Sequence, residues 1–404
     1  MTVAAERLAR RALDWLLGCA RDVDGDLWWA STPSDDELNP MLYSGAAGIV
    51  LALLEGQRHF GDRYGDAAVR ATRSIAAACP GWVNSSLHFG VTGMAFALWA
   101  VGDRLGDATA AADARRALDL VRSRFDGERW GEQFELLGGN AGIALGALGC
   151  GDVELAELAV TPYLRTAEPT PGGVHWEVRS GTPARFHHIS HGTLGIVVAL
   201  AAVGRAVGRP DMVELALAGA ADVVARNEAG PDGFLVPHSD PQHRPELVDR
   251  YSYGWCHGPA GDAQAFRMLG DVTGDPAWAA LVDRCWHTVT HSGLPRRLRP
   301  GFWDNSGRCC GTAGVLALAC DLGDLDFAAP LVADIAARAT VDDDGVRWSN
   351  HEHRVTPSDL EPRTGWAMGN AGIVRELARY AGVVAGRDPG YAVPLPDQLP
   401  ARAR

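Results

Sequence analysis

A Gly-x-x-Gly pair that runs straight into an apolar helical stretch occurs seven times in this chain, and that repeat limits the available folds more than any other feature. The pairs are Gly45/Gly48, Gly90/Gly93, Gly139/Gly142, Gly192/Gly195, Gly258/Gly261, Gly311/Gly314 and Gly369/Gly372, spaced 45 to 66 residues apart. Each leads into a run such as Ile49-Val50-Leu51-Ala52-Leu53-Leu54 or Ile196-Val197-Val198-Ala199-Leu200. Helices apolar on most faces belong in an interior. Between copies lie more amphipathic stretches, such as Ala67 to Ala78 and Ala111 to Arg124. Aromatic, turn-rich segments follow: Leu27-Trp28-Trp29, Val174-His175-Trp176-Glu177-Val178, Phe234-Leu235-Val236-Pro237 and Val346-Arg347-Trp348. Such a unit cannot bury its inner helix without neighbours. Seven helical pairs predict an all-α fold, an α/α toroid with inner helices lining a barrel and outer helices around it, as one domain over residues 1–404. An open solenoid would need polar end caps, and the first and last units are as apolar as the middle ones. The glycines predict a sharp turn into each inner helix and close approach of neighbouring chains.

If the inner helices all begin at one end of the barrel, the residues just before each first glycine converge there. Helix N-termini gather at that end, with free N–H groups and dipoles that favour anions. The converging pairs are Tyr43 and Ser44, His88 and Phe89, Leu137 and Gly138, Ser190 and His191, Cys256 and His257, Cys309 and Cys310, and Ala367 and Met368. Reactive types concentrate in the fourth to sixth copies. Cys256 and Cys309 hold matching positions, and Cys310 follows directly. Three thiolates suit one Zn²⁺ per chain and leave the fourth tetrahedral position open, the layout of a catalytic site. The plain alternative is a set of small buried hydrophobes, as expected for Cys19, Cys79, Cys150, Cys285 and Cys320. Matched register in adjacent copies favours the metal. A zinc ion with three thiolates is net negative and a poor source of hydroxide. It keeps a further thiol deprotonated and electron-rich, which points to thiol transfer or addition rather than hydrolysis. His191 stands at the same rim as an acid or base for that chemistry, or as a cap. His257 follows a ligand cysteine and lines the pocket or packs beside it. His187 and His188 read as loop residues.

The formal charge of −13 argues against nucleic acid, because nothing neutralises phosphates in bulk. Met1 to Ala20 reads as an amphipathic helix interrupted by Arg7, Arg10, Arg11 and Asp14, and so as neither signal peptide nor membrane span. The expected location is the cytoplasm, where eight cysteines are core residues or metal ligands rather than disulfides.

Three stretches carry a resemblance to the lanthionine synthetase C-like family, the lanthipeptide cyclases. They are Ser190-His191-Gly192-Thr193-Leu194-Gly195-Ile196, Trp255-Cys256-His257-Gly258-Pro259-Ala260-Gly261 and Cys309-Cys310-Gly311-Thr312-Ala313-Gly314. The likeness extends over essentially the whole chain and all seven repeats. It implies a seven-unit toroid that uses zinc to activate a peptide cysteine. That thiol adds to dehydroalanine or dehydrobutyrine and forms a thioether ring. The family's ligands, commonly Cys, Cys and His, fall on Cys256, Cys309 and Cys310, so a cysteine stands where the histidine is usual. His191 matches the proposed acid/base histidine. Three positions depart from the pattern. Glu135, in Phe134-Glu135-Leu136-Leu137, stands for an Asp. Ser252 stands where an Arg is common, with Arg250 near it, and His257 replaces a common Tyr.

The expected function is a zinc-dependent, thioether-forming cyclase acting on a dehydrated, Cys-containing precursor peptide. A separate dehydratase would supply that peptide. The runner-up is a protein that binds or conjugates glutathione or another small thiol. A carbohydrate enzyme of the same barrel fold would need paired carboxylates. Glu132, Glu135 and Asp304 are available for that, and the thiol cluster would then have no purpose.

Overall fold

The computed structural model of the chain describes residues 2–246, 248–296, 298, 305–349, 360–399 and 401. In chain order the helices are α1 (Thr2–Gly18), α2 (Ala46–Phe60), α3 (Arg63–Ala78), α4 (Val91–Leu105), α5 (Ala108–Ser123), α6 (Asn140–Gly149), α7 (Val153–Val160), α8 (Tyr163–Thr166), α9 (Thr193–Val207), α10 (Pro210–Val224), α11 (Pro259–Thr273), α12 (Pro276–His291), α13 (Thr312–Leu322), α14 (Leu325–Ala337) and α15 (Asn370–Val384). The seven helices that follow the glycine pairs (α2, α4, α6, α9, α11, α13 and α15) form an inner ring in which each touches the next, and α15 returns to α2. Each of the first six packs against the outer helix that follows it. The last, α15, packs against α1 from the opposite end of the sequence, so the chain closes its own circle. The architecture is an α/α toroid.

Burial follows the sequence pattern. Every residue of α9 from Thr193 to Gly204 is buried, whereas α5 buries one stripe of Ala110, Ala114, Ala117, Leu118 and Val121. The aromatic segments have a shared purpose. Trp29, Trp130, Trp176 and Trp348 each turn an indole N–H onto a backbone carbonyl of the preceding outer layer, at Leu16, Val121, Tyr163 and Ile335, over 2.6–3.1 Å. Those carbonyls lie where helices run out of internal donors. Antiparallel pairs β1–β2 (Arg21–Val23, Asp26–Trp28), β3–β4 (Glu168–Thr170, Gly173–His175) and β7–β8 (Thr340–Asp342, Gly345–Arg347) carry three of the approaches. A fourth pair, β5–β6 (Arg185–Phe186, Ser239–Asp240), joins two different approach loops.

The glycine pairs act through space more than through backbone freedom. Each first glycine has φ between −118° and −168°, extended backbone open to any residue, so no special turn demands glycine there. Clearance demands it. A Cβ on Gly142 would lie 2.0 Å from Leu136 O and 2.9 Å from Leu87 Cβ. The same relation runs around the ring. The residue three before each first glycine packs on the second glycine of the next unit, from Leu42 on Gly93 through Arg308 on Gly372 to Trp366 on Gly48.

Backbone hydrogen bonds tie the same rim. The N–H of the residue two before each first glycine donates to the carbonyl at that position in the next unit. The series is Tyr43 to His88 (2.8 Å), His88 to Leu137 (3.2 Å), Leu137 to Ser190 (3.3 Å), Ser190 to Cys256 (3.4 Å), Cys256 to Cys309 (3.1 Å), Cys309 to Ala367 (2.8 Å) and Ala367 back to Tyr43 (2.9 Å).

Gly142→Val is therefore expected to lose more than about 3 kcal/mol, the upper end for overpacked cores, or to fail to fold. At Gly270 the nearest contact to an added Cβ is Trp278 Cβ at 3.5 Å. Gly270→Ala should be neutral or stabilising by up to about 1 kcal/mol. Urea denaturation of both compares them, and similar midpoints would mean that the ring contacts are not tight.

Candidate functional site

The hydrogen-bonded ring sets Tyr43, His88, Leu137, Ser190, Cys256, Cys309 and Ala367 on one rim. Direct pairing of Cys256 N–H with Cys309 O brings the two cysteine-bearing segments side by side. The Cys256 and Cys310 sulfurs lie 3.0 Å apart, and those of Cys310 and Cys309 3.5 Å apart. All three lie within 4.8 Å of one another. Among the described residues they are the one group of three or more His, Cys, Asp or Glu whose donor atoms close on a point. Tetrahedral zinc at about 2.3 Å from each sulfur separates them by about 3.8 Å, so the cluster fits such an ion with small adjustments. Packing alone gives no reason for three largely buried thiols, none in a disulfide, to meet sulfur to sulfur. Hydrogen bonds from Cys256 and Cys310 hold the Cys309 thiol well below its ordinary pKa, and the bond to Cys309 raises that of Cys256. The Tyr43 hydroxyl donates to Cys309 Sγ at 3.4 Å, and burial pushes the phenol well above its usual range.

His191 faces this cluster across the rim with a quarter of its side chain exposed. Its Nδ1 lies 3.1 Å from Glu135 Oε1. Glu135 is buried and also accepts the backbone N–H groups of Leu137 and, at 3.2 Å, Gly138. A carboxylate with no proton can only accept, so His191 donates from Nδ1 and leaves Nε2 as the atom that exchanges a proton. His257 stacks on His191, with rings 5.3 Å apart and 26° from parallel. Burial holds His257 well below its usual pKa, and takes His88, His187 and His238 down to about 3. These four imidazoles are neutral near pH 7 and bring no positive charge to the thiols.

The structure thus gathers Cys256, Cys309, Cys310, His191, Glu135 and His257 at one rim. Arg250 lies elsewhere, on the surface and paired with Glu228 at 2.5 Å. Glu132 is exposed, Glu135 is engaged by His191, and Asp304 lies outside the described residues; among the described residues Glu132 and Glu135 form no catalytic pair. His187 and His188 do sit in a loop, but both are buried, and His188 Nδ1 lies 2.9 Å from Asp262 on α11. Neither that hydrogen-bonded pair nor the contact of Tyr43 with Cys309 is among the expectations from the sequence. Tyr43 shares the register of the two cysteines, and that was the signal available. Beneath the rim, Arg308 stands over the rings of Trp255 and Trp366 and holds Glu376 at 3.0 Å.

The family model described as "Lanthionine synthetase C-like protein" matches residues 36–244 and 242–331. No curated protein matches the sequence. Among solved structures, nisin cyclase superposes with a TM-score of 0.60 at 15% identity, covering 89% of this chain and 93% of that one. An alpha-1,6-mannanase of Salegentibacter sp. HEL1_6 gives 0.53 at 11% identity, over 93% of this chain and 99% of that one. A glycoside hydrolase family 76 mannosidase of Bacteroides thetaiotaomicron gives 0.51 at 12% identity, over 94% and 100%. At these identities the likenesses show the fold alone. No helix among the described residues is long and apolar enough to cross a membrane.

The histidines predict the acid response. An unfolded histidine takes a proton near pH 6.5, whereas His88, His187 and His238 resist until about pH 3. The unfolded chain therefore binds more protons below pH 6.5, and stability falls as pH falls through that window. At pH 5 each histidine should cost about 2 kcal/mol. Thermal melts of metal-stripped protein at pH 7, 6 and 5 test this, and a constant Tm would contradict it.

Proposed function

The chain belongs to the lanthionine synthetase C-like family, and from that premise we propose that it is a zinc-dependent cyclase closing thioether rings in a dehydrated peptide. The observation that carries this reading is the meeting of three thiols beside a carboxylate-oriented histidine. Cys256, Cys309 and Cys310 would hold the ion. When bound, zinc lowers the pKa of a substrate thiol so that it is a thiolate near neutral pH. The substrate sulfur then attacks the β-carbon of dehydroalanine or dehydrobutyrine. His191, with Nδ1 fixed by Glu135, takes the thiol proton on Nε2 and returns it to the α-carbon. No atom is gained or lost. Glu135 is held by two backbone N–H groups and so keeps the imidazole aimed while its charge changes. The N-termini of the inner helices favour the negative charge that develops on the substrate. Neutral His257, stacked on His191, gives the pocket a flat wall without a second acid. The precursor peptide and the dehydratase that prepares it are separate partners in this reading, and residues 1–404 act as one toroidal domain in the cytoplasm.

Protein purified under reducing conditions should hold one zinc per chain. Cys256→Ala, Cys309→Ala and Cys310→Ala should each lose it, while Cys150→Ala and Cys320→Ala keep it. Elemental analysis decides, and zinc-free wild type would sink the site assignment.

His191→Ala should retain the metal and slow ring closure by roughly 10²–10⁴. The product has the mass of the dehydrated peptide, so the assay must read the thiol. A dehydrated, Cys-containing peptide treated with enzyme and then with an alkylating reagent should resist labelling, and its fragmentation should fail inside the ring. Labelling equal to the enzyme-free control, with glutathione bound instead, would turn the assignment to a small-thiol protein.

A further inference from the structure

We propose that Tyr43 is a positioning residue of the metal centre, whose hydroxyl hydrogen-bonds the Cys309 sulfur and draws negative charge off the thiolate cluster. The proposal rests on the zinc-cyclase reading and deepens it. The contact joins the first repeat to the sixth, 266 residues apart, at 3.4 Å. It is not a chance rotamer at a loose loop. The Tyr43 backbone is fixed on both sides, donating to His88 O at 2.8 Å and accepting from Ala367 N–H at 2.9 Å. Its ring packs on Phe89 at 5.1 Å and edge-on to His88 at 6.3 Å.

The cluster needs such a donor. Backbone N–H groups often stabilise metal-bound sulfur, but those of Cys256 and Cys309 are committed to the ring, at 3.1 and 2.8 Å. The imidazole of His191 is engaged with Glu135 at 3.1 Å, and the Arg308 guanidinium with Glu376 at 3.0 Å. A third cysteine in place of a neutral histidine adds one more negative charge to relieve. A thiolate that accepts a hydrogen bond gives less electron density to a metal. An arriving substrate thiol then loses its proton at lower pH. Tyr43 therefore sets the pH at which the centre works, without touching substrate.

The test uses the full chain loaded with Co²⁺ as a spectroscopic stand-in, and with Zn²⁺ for activity. Tyr43→Phe removes one oxygen and keeps the ring, and far-UV circular dichroism confirms the fold. The variant should bind cobalt and show its thiolate-to-cobalt charge-transfer band at longer wavelength than wild type. The acid limb of its pH–rate profile should move to higher pH, with kcat/KM at pH 7 lowered roughly tenfold, the lower bound for a lost outer partner. An unmoved band and an unmoved acid limb in a cobalt-binding variant would overturn the role of Tyr43 and leave the zinc reading intact. Wild type that shows no charge-transfer band at all would overturn the zinc reading and this proposal with it.

Discussion

Seven backbone hydrogen bonds, one from each unit, run nose to tail around one end of the barrel and return to their start. Each is worth about 1 kcal/mol alone, but closure makes them interdependent. Every participating residue both donates and accepts, so displacing one unit strains two neighbours. The glycine pairs make this possible, because the wedge three residues before each first glycine can sit on the next unit only where no Cβ intervenes. Sequence register becomes spatial register through this ring. Cys256 and Cys309, matching positions in successive units, become hydrogen-bonded neighbours, and Cys310 follows one step toward the same point.

The interior holds polar groups on two levels. Thiols, imidazoles, Glu135 and Tyr43 occupy the rim. Deeper, guanidinium and carboxylate groups pair with each other: Arg308 with Glu376 at 3.0 Å, and Arg379 and Arg267 with the two oxygens of Asp321 at 2.5 and 2.8 Å. Tyr391, from the segment after α15, adds a hydroxyl to Glu376 at 2.8 Å. Trp255 and Trp366 stand between the levels, with Arg308 against both rings. The guanidiniums named are thus each paired with a carboxylate below the rim. Buried charges left alone would cost several kcal/mol each, so the lower level is bound to its pairings and the upper level is left to chemistry.

The toroid and its rim were legible because both depend on period and position. Gly-x-x-Gly before an apolar run needs no partner to be recognised, and counting back two residues from each first glycine finds the ring. What the sequence hid were side-chain contacts between units. Tyr43 and Cys309 lie five repeats apart and meet because the circle closes. Asp262 reaches back to His188 from the first turn of α11. Arg308, a charged residue beside the cysteines, carries no sequence signal of burial, yet it is among the most buried side chains. Of the two purposes expected of the glycines, a sharp turn and close approach of the neighbouring chain, the extended backbone angles leave close approach as the constraint. Glu135 was placed by likeness, and its longer side chain turns out to fold back on its own backbone before reaching His191.

Six inner helices find their outer partner in the next stretch of chain, but α15 finds its partner in α1. On a ribosome this asymmetry has a cost in time. The stripe of Ala5, Ala9, Ala12, Leu13 and Leu16, fully buried in the finished protein, is made before every inner helix and meets α15, its main cover, last. At about 5–20 residues per second, that face stays open to water and to other nascent chains for roughly twenty seconds to a minute. The sealed circle gives the mature rim its rigidity, and the same seal makes the first helix of the chain a natural place for a chaperone to hold.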